Sequence, residues 1–368
     1  GWKYKIAIPA PALFGQFNNL DDIDIVLTGL KQMGFDDVYE VSRGAELVSD
    51  ATRKLMADGR LPKPVISSAC PAVVRLIRGR FPDLCDHVLN LNAPMEVSAM
   101  MAKRAASERT SIPIEEIGAF FITPCPAKVT DIKMPIGTEG SWCDGAIAIS
   151  EVFPLLSHRM DKLETVEPIG QSGLIGVSWA GSGGESAALL NEKYLAADGI
   201  ENVIRVLEEL EDERIRELDF VELNACSGGC VGGVLCVENG YVAKARLQRL
   251  RKYLPVSQNH LDGGVPRDME WTEPLEFAPV LKLSQNLEEA MQMMEEIDVI
   301  CEGLPGLDCG SCGAPSCRAL AEDVVRGAAR TSDCVFVMRE QVKNVADTLS
   351  SIGGYVPSYL DSKEKQGN

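Results

Sequence analysis

Twelve cysteines stand against only three histidines in this chain of 368 residues. Thiols in that number serve as disulfides, as free thiols or as metal ligands, and the compartment decides which. The first residues, Gly1-Trp2-Lys3-Tyr4-Lys5, lack the apolar core and cleavage site of an export signal. No run of about eighteen apolar residues appears either. The sequence therefore reads as cytoplasmic, with reduced thiols or metal ligands. His87, His158 and His260 lie far apart, which leaves a mixed Cys/His zinc site little to draw on. All-thiolate ligation suits zinc or an iron–sulfur cluster.

Spacing sorts the cysteines into two groups. Cys70 follows the apolar stretch Pro64 to Ser68, Cys125 follows Ile117 to Thr123, and Cys226 follows Asp219 to Asn224, and each stretch reads as a strand. Strand carboxyl ends line the ligand crevice of a doubly wound sheet, so one shared metal site is expected there. Cys230 joins it through the loop Cys226-Ser227-Gly228-Gly229-Cys230, whose glycines let backbone N–H groups approach bridging sulfides. Four thiolates complete one cubane. The second group is Cys309-Gly310-Ser311-Cys312-Gly313-Ala314-Pro315-Ser316-Cys317 with Cys334 beyond it. A four-cysteine zinc knuckle is the alternative there; the compact loop and the first cluster site favour iron–sulfur. Cys85, Cys143, Cys236 and Cys301 follow no such pattern and read as ordinary thiols, with Cys236 and Cys301 open as spare ligands.

The elements that must position these groups alternate. Tyr4 to Pro9 reads as a strand, Asp22 to Met33 as a helix with Ile23, Val26, Leu27 and Leu30 on one face, and Asp37 to Val41 as a strand. A helix over Ala45 to Met56 and strands at Pro64 to Ser68, Ile117 to Thr123, Gly145 to Ser150, Ile175 to Trp179 and Asp219 to Asn224 follow. The pattern predicts an α/β fold with a largely buried sheet. Domains are expected at 1–255, with a connecting segment and helix at 256–300, a cluster domain at 301–336, and a linker helix and tail at 337–368. The formal charge of −18 repels both nucleic acid and anionic membrane, so neither is an expected partner. Gly1 in place of Met predicts that residues upstream have been removed.

Ser67-Ser68-Ala69-Cys70-Pro71, Thr123-Pro124-Cys125-Pro126-Ala127-Lys128 and Glu222-Leu223-Asn224-Ala225-Cys226-Ser227-Gly228-Gly229-Cys230 resemble, in order and separation, the three signature loops of the [FeFe]-hydrogenases. The resemblance covers about Tyr4 to Leu254. It implies an H-domain of two doubly wound lobes around an H-cluster, followed by a small Cys-rich [4Fe-4S] domain. The implied H-cluster is a [4Fe-4S] cubane on Cys70, Cys125, Cys226 and Cys230, with Cys230 bridging to a diiron subsite that carries CO, CN and an azadithiolate. Lys128 is implied as the cyanide's hydrogen-bond donor, and Glu222 as its ion-pair partner. Cys309, Cys312, Cys317 and Cys334 resemble the one additional [4Fe-4S] cluster site appended to sensory members. The partners implied are H2 and protons, a redox or signalling domain or protein, and the maturation enzymes that insert the diiron subsite. Those members also carry a ferredoxin-like region upstream.

Departures from the family pattern point to one branch. Ala69 stands where catalytic members carry a proton-passing Cys, and Ala carries no proton. Thr123 and Asn224 replace methionines beside the cluster. Ser49 and Thr52 align with the carboxylates of the outer proton path, with Asp50 close by. These losses are similar to those of sensory, low-turnover [FeFe]-hydrogenases. The alternative is a non-enzymatic iron–sulfur protein on the same fold, without the diiron subsite. Ser178-Trp179-Ala180-Gly181-Ser182-Gly183-Gly184-Glu185 resembles the family's Gly-Gly turn, with Glu185 where an apolar residue is usual. Glu185 is expected either as a replacement proton relay, its pKa raised by burial, or as a helix N-terminal residue favoured by the dipole.

Overall fold

The computed structural model describes residues 1–278, 283, 284, 286–314 and 316–353, with side chains as far as 348. The chain divides into two units, Gly1–Ala278 and Pro279–Asn368. Among the described residues of the first unit, seven strands form two parallel sheets. They are β1 (Tyr4–Pro9), β2 (Asp37–Val38), β3 (Val65–Ile66), β4 (Ile117–Thr123), β5 (Gly145–Ala148), β6 (Tyr194–Asp198) and β7 (Phe220–Asn224), in the orders β2-β1-β4-β5 and β3-β7-β6. Ten α-helices accompany them: α1 (Ile23–Gln32), α2 (Val41–Ala57), α3 (Pro71–Arg80), α4 (Pro94–Thr110), α5 (Pro126–Lys133), α6 (Ile149–Met160), α7 (Leu174–Ser178), α8 (Gly184–Ala188), α9 (Ile200–Glu211) and α10 (Gly240–Leu250). No helix among the described residues is long and apolar enough to cross a membrane.

Both sheets are covered on both faces, which is why their strands are apolar in both directions. Ala7 and Ile122 face Val26, Leu27 and Leu30 of α1 and Val152 and Leu156 of α6. The alternate residues Ile6, Ile8, Ala119 and Phe121 face Met95, Ala99 and Ala102 of α4. In the smaller sheet Ile66, Val221 and Leu223 meet Val73, Val74 and Ile77 of α3 and Val203 and Leu207 of α9, while Val65 and Phe220 meet Leu47, Val48 and Ala51 of α2. Full burial of each of the Val, Leu, Ile, Phe and Met side chains among these contributes about 2 kcal/mol.

Four expectations need correction. The stretch Ile175 to Trp179, β-branched enough to read as a strand, lies instead in and just after α7, which packs so closely on α2 that a side chain at Gly176 would clash with the backbone of Ser42. Asp37 to Val41 forms a ladder only over Asp37–Val38, because Val41 already begins α2. Gly145 to Ser150 likewise stops at Ala148, where α6 begins. The edge strand β6, with mostly half-exposed residues, carries no clear apolar pattern and went unpredicted. Residues 256–278, read as part of a connecting segment, belong with the first unit: the buried Glu46 carboxylate accepts the backbone N–H groups of Gln258 and Asn259, at 2.9 and 2.8 Å.

The second unit holds α11 (Leu287–Glu302), α12 (Cys317–Val325) and α13 (Val335–Gly353). Asn286 caps α11 and Ser316 caps α12, each side chain accepting a backbone N–H. Ile297, Leu304, Leu320 and Ala321 form its core together with Cys334. The tail over 354–368 lies outside the described residues.

Candidate metal centre

The parallel strands β3, β4 and β7 deliver the three signature loops to one place. Cys70 and Cys125 each occupy the residue before a helix, α3 and α5, and each is followed by Pro at the first helical position. Proline there lacks the N–H that a helix start leaves unpaired and presets the helical φ, so each helix begins directly after its thiol. After β7 the chain turns through Gly228 and Gly229, at φ +81° and +92°. A Cβ on Gly229 would run into the amide of Ser182, and one on Gly233 into the carbonyl of Pro124. The third loop is thus pressed against both the Gly181–Gly184 turn and the second loop.

The four thiols share one electrostatic neighbourhood. Burial pushes Cys230 up to about 12, against the pull of Lys128 and with the help of Cys70, Cys125 and Cys226. Burial and the neighbouring Cys125 and Cys70 push Cys226 up to about 11. Thiols packed this way do not ionise together without a cation to hold them. Around a single zinc, with bonds of about 2.3 Å, the sulfurs must lie within about 4 Å of one another. Among the described residues no three Cys, His, Asp or Glu converge that closely. Four thiolates are a donor set that suits zinc or an iron–sulfur cluster.

Beside the thiols lies a cavity with about 600 Å³ of atom-free space, counting its open mouth, lined by Ala69, Lys128, Glu185, Glu222, Asn224 and Cys230 among others. The buried Lys128 ammonium donates to the carbonyl of Ala69 at 2.7 Å. Burial works against its charge, but Cys230, Cys125, Cys70 and Asp131 outweigh that and hold its pKa above the usual lysine value. The expected ion pair with Glu222 is corrected: the Glu222 carboxylate instead accepts the backbone N–H groups of Gly183 and Ser186 at 2.9 and 2.8 Å and the Asn224 amide at 2.9 Å. Those amides satisfy Glu222 locally, and it braces the glycine turn rather than the lysine.

Glu185 is buried, and its carboxylate accepts the Ser67 hydroxyl at 2.6 Å, while Ser67 Oγ accepts the N–H of Ala69 at 3.1 Å. Burial and the nearby Glu222 raise its pKa to about 8, opposed by the Ser67 hydrogen bond and Lys128. Glu185 does sit in the first turn of α8, whose N-cap is Gly183, but the helix is five residues long and the carboxylate is bonded to Ser67. Ser67 opens the first signature loop, but its contact with Glu185 was not expected from the sequence. Ser49 and Thr52 turn their hydroxyls back to the carbonyls of Ala45 and Val48, each at 2.8 Å. Asp50 is tied to Arg53, Lys54 and the N–H of Leu261. Cys236, read as an ordinary thiol, places Sγ 3.8 Å from the Cys230 carbonyl.

In the second unit Cys312, Cys317 and Cys334 pack around the small core, and Cys309 is exposed. Gly310 and Gly313 take φ +68° and +92° in the loop between them. Asp308 accepts the N–H of Cys317 at 2.6 Å, closing the loop on itself.

The profile of the family described as iron only hydrogenase large subunit, C-terminal domain, matches residues 3–194 and 185–234. The chain belongs to this family. A second profile, for an Fe-S cluster family, matches residues 304–336. Iron hydrogenase 1 of Clostridium pasteurianum is 19% identical over 284 residues, covering 63% of this chain and 50% of the relative. The NADP-reducing hydrogenase subunit HndD of Solidesulfovibrio fructosivorans is 22% identical over 260 residues, 55% of this chain and 44% of the relative. This hydrogenase-family chain thus spans about half the length of these two relatives. The cytosolic Fe-S cluster assembly factor nar1 of Aspergillus terreus is 28% identical over 99 residues, covering 27% of this chain and 16% of the factor. A structure of an [FeFe]-hydrogenase HydA1 variant from Chlamydomonas reinhardtii superposes with a TM-score of 0.59 at 17% identity, over 76% of this chain and 95% of that one. The fold is that of the [FeFe]-hydrogenase H-domain, and the chain is a hydrogenase-like iron–sulfur protein.

Proposed function

We propose that this chain is a sensory, low-turnover [FeFe]-hydrogenase that binds and reversibly splits H2 and passes electrons or a redox signal to a partner domain or protein in the cytoplasm. The observation that carries the reading is Lys128. A buried ammonium is costly unless its charge is used, and its direct hydrogen-bond partner here is one backbone carbonyl. The cluster thiols and Asp131 supply negative charge around it; on this reading a cyanide of the diiron subsite in the adjoining cavity accepts the ammonium protons that the Ala69 carbonyl leaves unused.

On this reading Cys70, Cys125, Cys226 and Cys230 hold the H-cluster's cubane and Lys128 anchors the diiron subsite inserted by maturation enzymes. When bound, that cluster supplies the open iron site, the bridging base and the electron store for H2 chemistry. The protein's own contribution is proton handling. Ala69 interrupts the usual exit. Glu185, with a pKa near 8, retains a proton at neutral pH in the cavity wall, where its Ser67 contact links it to the loop of Ala69. In the second unit Cys309, Cys312, Cys317 and Cys334 hold an additional [4Fe-4S] cluster.

The match to the Aspergillus assembly factor favours a second reading, a non-enzymatic iron–sulfur protein without the diiron subsite. The infrared spectrum of the matured chain separates the two. Bound CO and CN bands, lost in Lys128→Ala while the cubane signal persists, are expected. A matured chain with full iron–sulfur content and no such bands would overturn the hydrogenase reading.

A further inference from the structure

Helix α13 stands without a partner in its own unit. Cys334 just before it is buried and Val337 packs on the small core, yet every residue from Met338 to Thr348 is exposed. A helix of 19 residues in water, held only at its first turn, is marginal unless an apolar face is covered. Such a face exists. Val335, Met338, Val342 and Val345 are 44%, 49%, 64% and 59% exposed, and Leu349 and Ile352 continue their spacing in the sequence. The intervals run three, four, three, four, three.

That alternation has a period of 3.5, whereas a straight helix has about 3.6 residues per turn. A stripe on the 3.5 period stays in register only with a helix that supercoils around it. We propose that α13 pairs with α13 of a second copy of this chain as a short parallel coiled coil. Val335, Val342 and Leu349 occupy the first apolar position of successive heptads and Met338, Val345 and Ile352 the second, an apolar seam with no buried polar residue in it. The residues flanking the seam are Arg339, Gln341, Ala346 and Thr348, and the charges of Glu340, Lys343 and Asp347 fall on outward positions. Two copies of a chain carrying −18 therefore meet along this seam without opposed like charges. Arg339 is the one charge flanking the seam, which gives a partner chosen by charge little to pair with. The Fe-S family match stops at residue 336, so the stripe lies beyond the segment that the cluster fold accounts for. The helix offers fewer than three or four heptads, so the pairing is concentration-dependent.

Sedimentation equilibrium on the full, iron-loaded chain tests this. The wild-type chain is expected to dimerise with concentration, and Val342→Lys with Val345→Lys is expected to weaken the dimer at least tenfold while iron content stays unchanged. Lys343→Glu, on an outward position, leaves the dimer intact. Met338→Cys is expected to give a disulfide-linked dimer on mild oxidation, beyond any formed by the wild-type chain, because a parallel register brings the two copies of that position within disulfide reach. An antiparallel register separates them by more than a helical turn. A chain that stays monomeric up to about 100 µM overturns the proposal, as does a dimer that survives the double lysine variant or the absence of a link at position 338.

Discussion

Replacing Glu185 by Gln keeps the shape and hydrogen-bonding capacity of the side chain while removing its titration. In the folded protein the carboxyl has a pKa near 8, against an ordinary 4.5, chiefly because it is buried and secondly because Glu222 is close. Between those values the folded state holds a proton that the unfolded state has released. The stability contributed by the buried neutral acid is therefore complete below about pH 4.5 and falls as pH rises, by about 1.4 kcal/mol per pH unit, until ionisation near pH 8 ends the slope. Glu185→Gln should lack this slope and be more stable than wild type at pH 8, with little difference at pH 4.5. Denaturant melts of the two proteins at several pH values, with equal iron content, read this directly. The same substitution tests the proton function: H2/D2 exchange should fall at least about tenfold if a general acid–base group has been removed, with CO and CN bands scarcely moved. Parallel pH–stability curves would refute the buried acid. A missing slope with undiminished exchange would keep the acid and remove it from the proton route, leaving the ion-paired Asp50 as the next group to test.

Three further outcomes are expected. Reconstituted chain should bind about eight irons before any diiron subsite is added, four per cubane, and Cys317→Ser should remove about four of them without altering the hydrogenase-type spectrum; an unchanged count refutes the second cluster. Ala69→Cys should restore only part of a missing relay worth about 10²–10⁴ in rate, because the hydroxyls of Ser49 and Thr52 are turned back onto their own helix; full recovery measured by H2 turnover would show that the outer path is intact. Gly229→Ala should cost at least about 2 kcal/mol or prevent cluster retention, since it combines a φ of +92° with a clash against the Ser182 amide, and iron content together with thermal melting reads the loss.

Elements buried on both faces were legible because their own residues carry the signal. β1 and β4 match the sequence boundaries, and the α1 stripe of Ile23, Val26, Leu27 and Leu30 is the face that is buried. What escaped was set by distant contacts. The helix α7 has strand-like composition and is helical where Gly176 meets Ser42 of α2. Residues 256–278 look like a polar connector, but Glu46, more than two hundred residues earlier, orders their start by accepting their amides. Neither effect leaves a local pattern to read.

The site divides along the same line. Cysteine spacing picked out the candidate ligands because Cys70, Cys125 and Cys226 each come just after a strand that could be recognised by itself, while the contacts of the acids depended on which donor lay closer in space. Glu222 follows the family motif, yet two backbone amides of the Gly183–Ser186 turn claim its carboxylate before Lys128 does. That arrangement has a consequence for Glu185. With the Glu222 carboxylate close by, a second buried carboxylate in the same wall is disfavoured first by burial and then by like charge, and keeps its proton. The glycine turn thus connects the two acids: by fixing Glu222 it raises the proton affinity of Glu185, whose carboxylate Ser67 links to the N–H of Ala69. Glu222→Gln should reveal this coupling by lowering the pH at which Glu185 ionises, because it removes the like charge that raises the Glu185 pKa, even though the substituted residue never touches Glu185's proton.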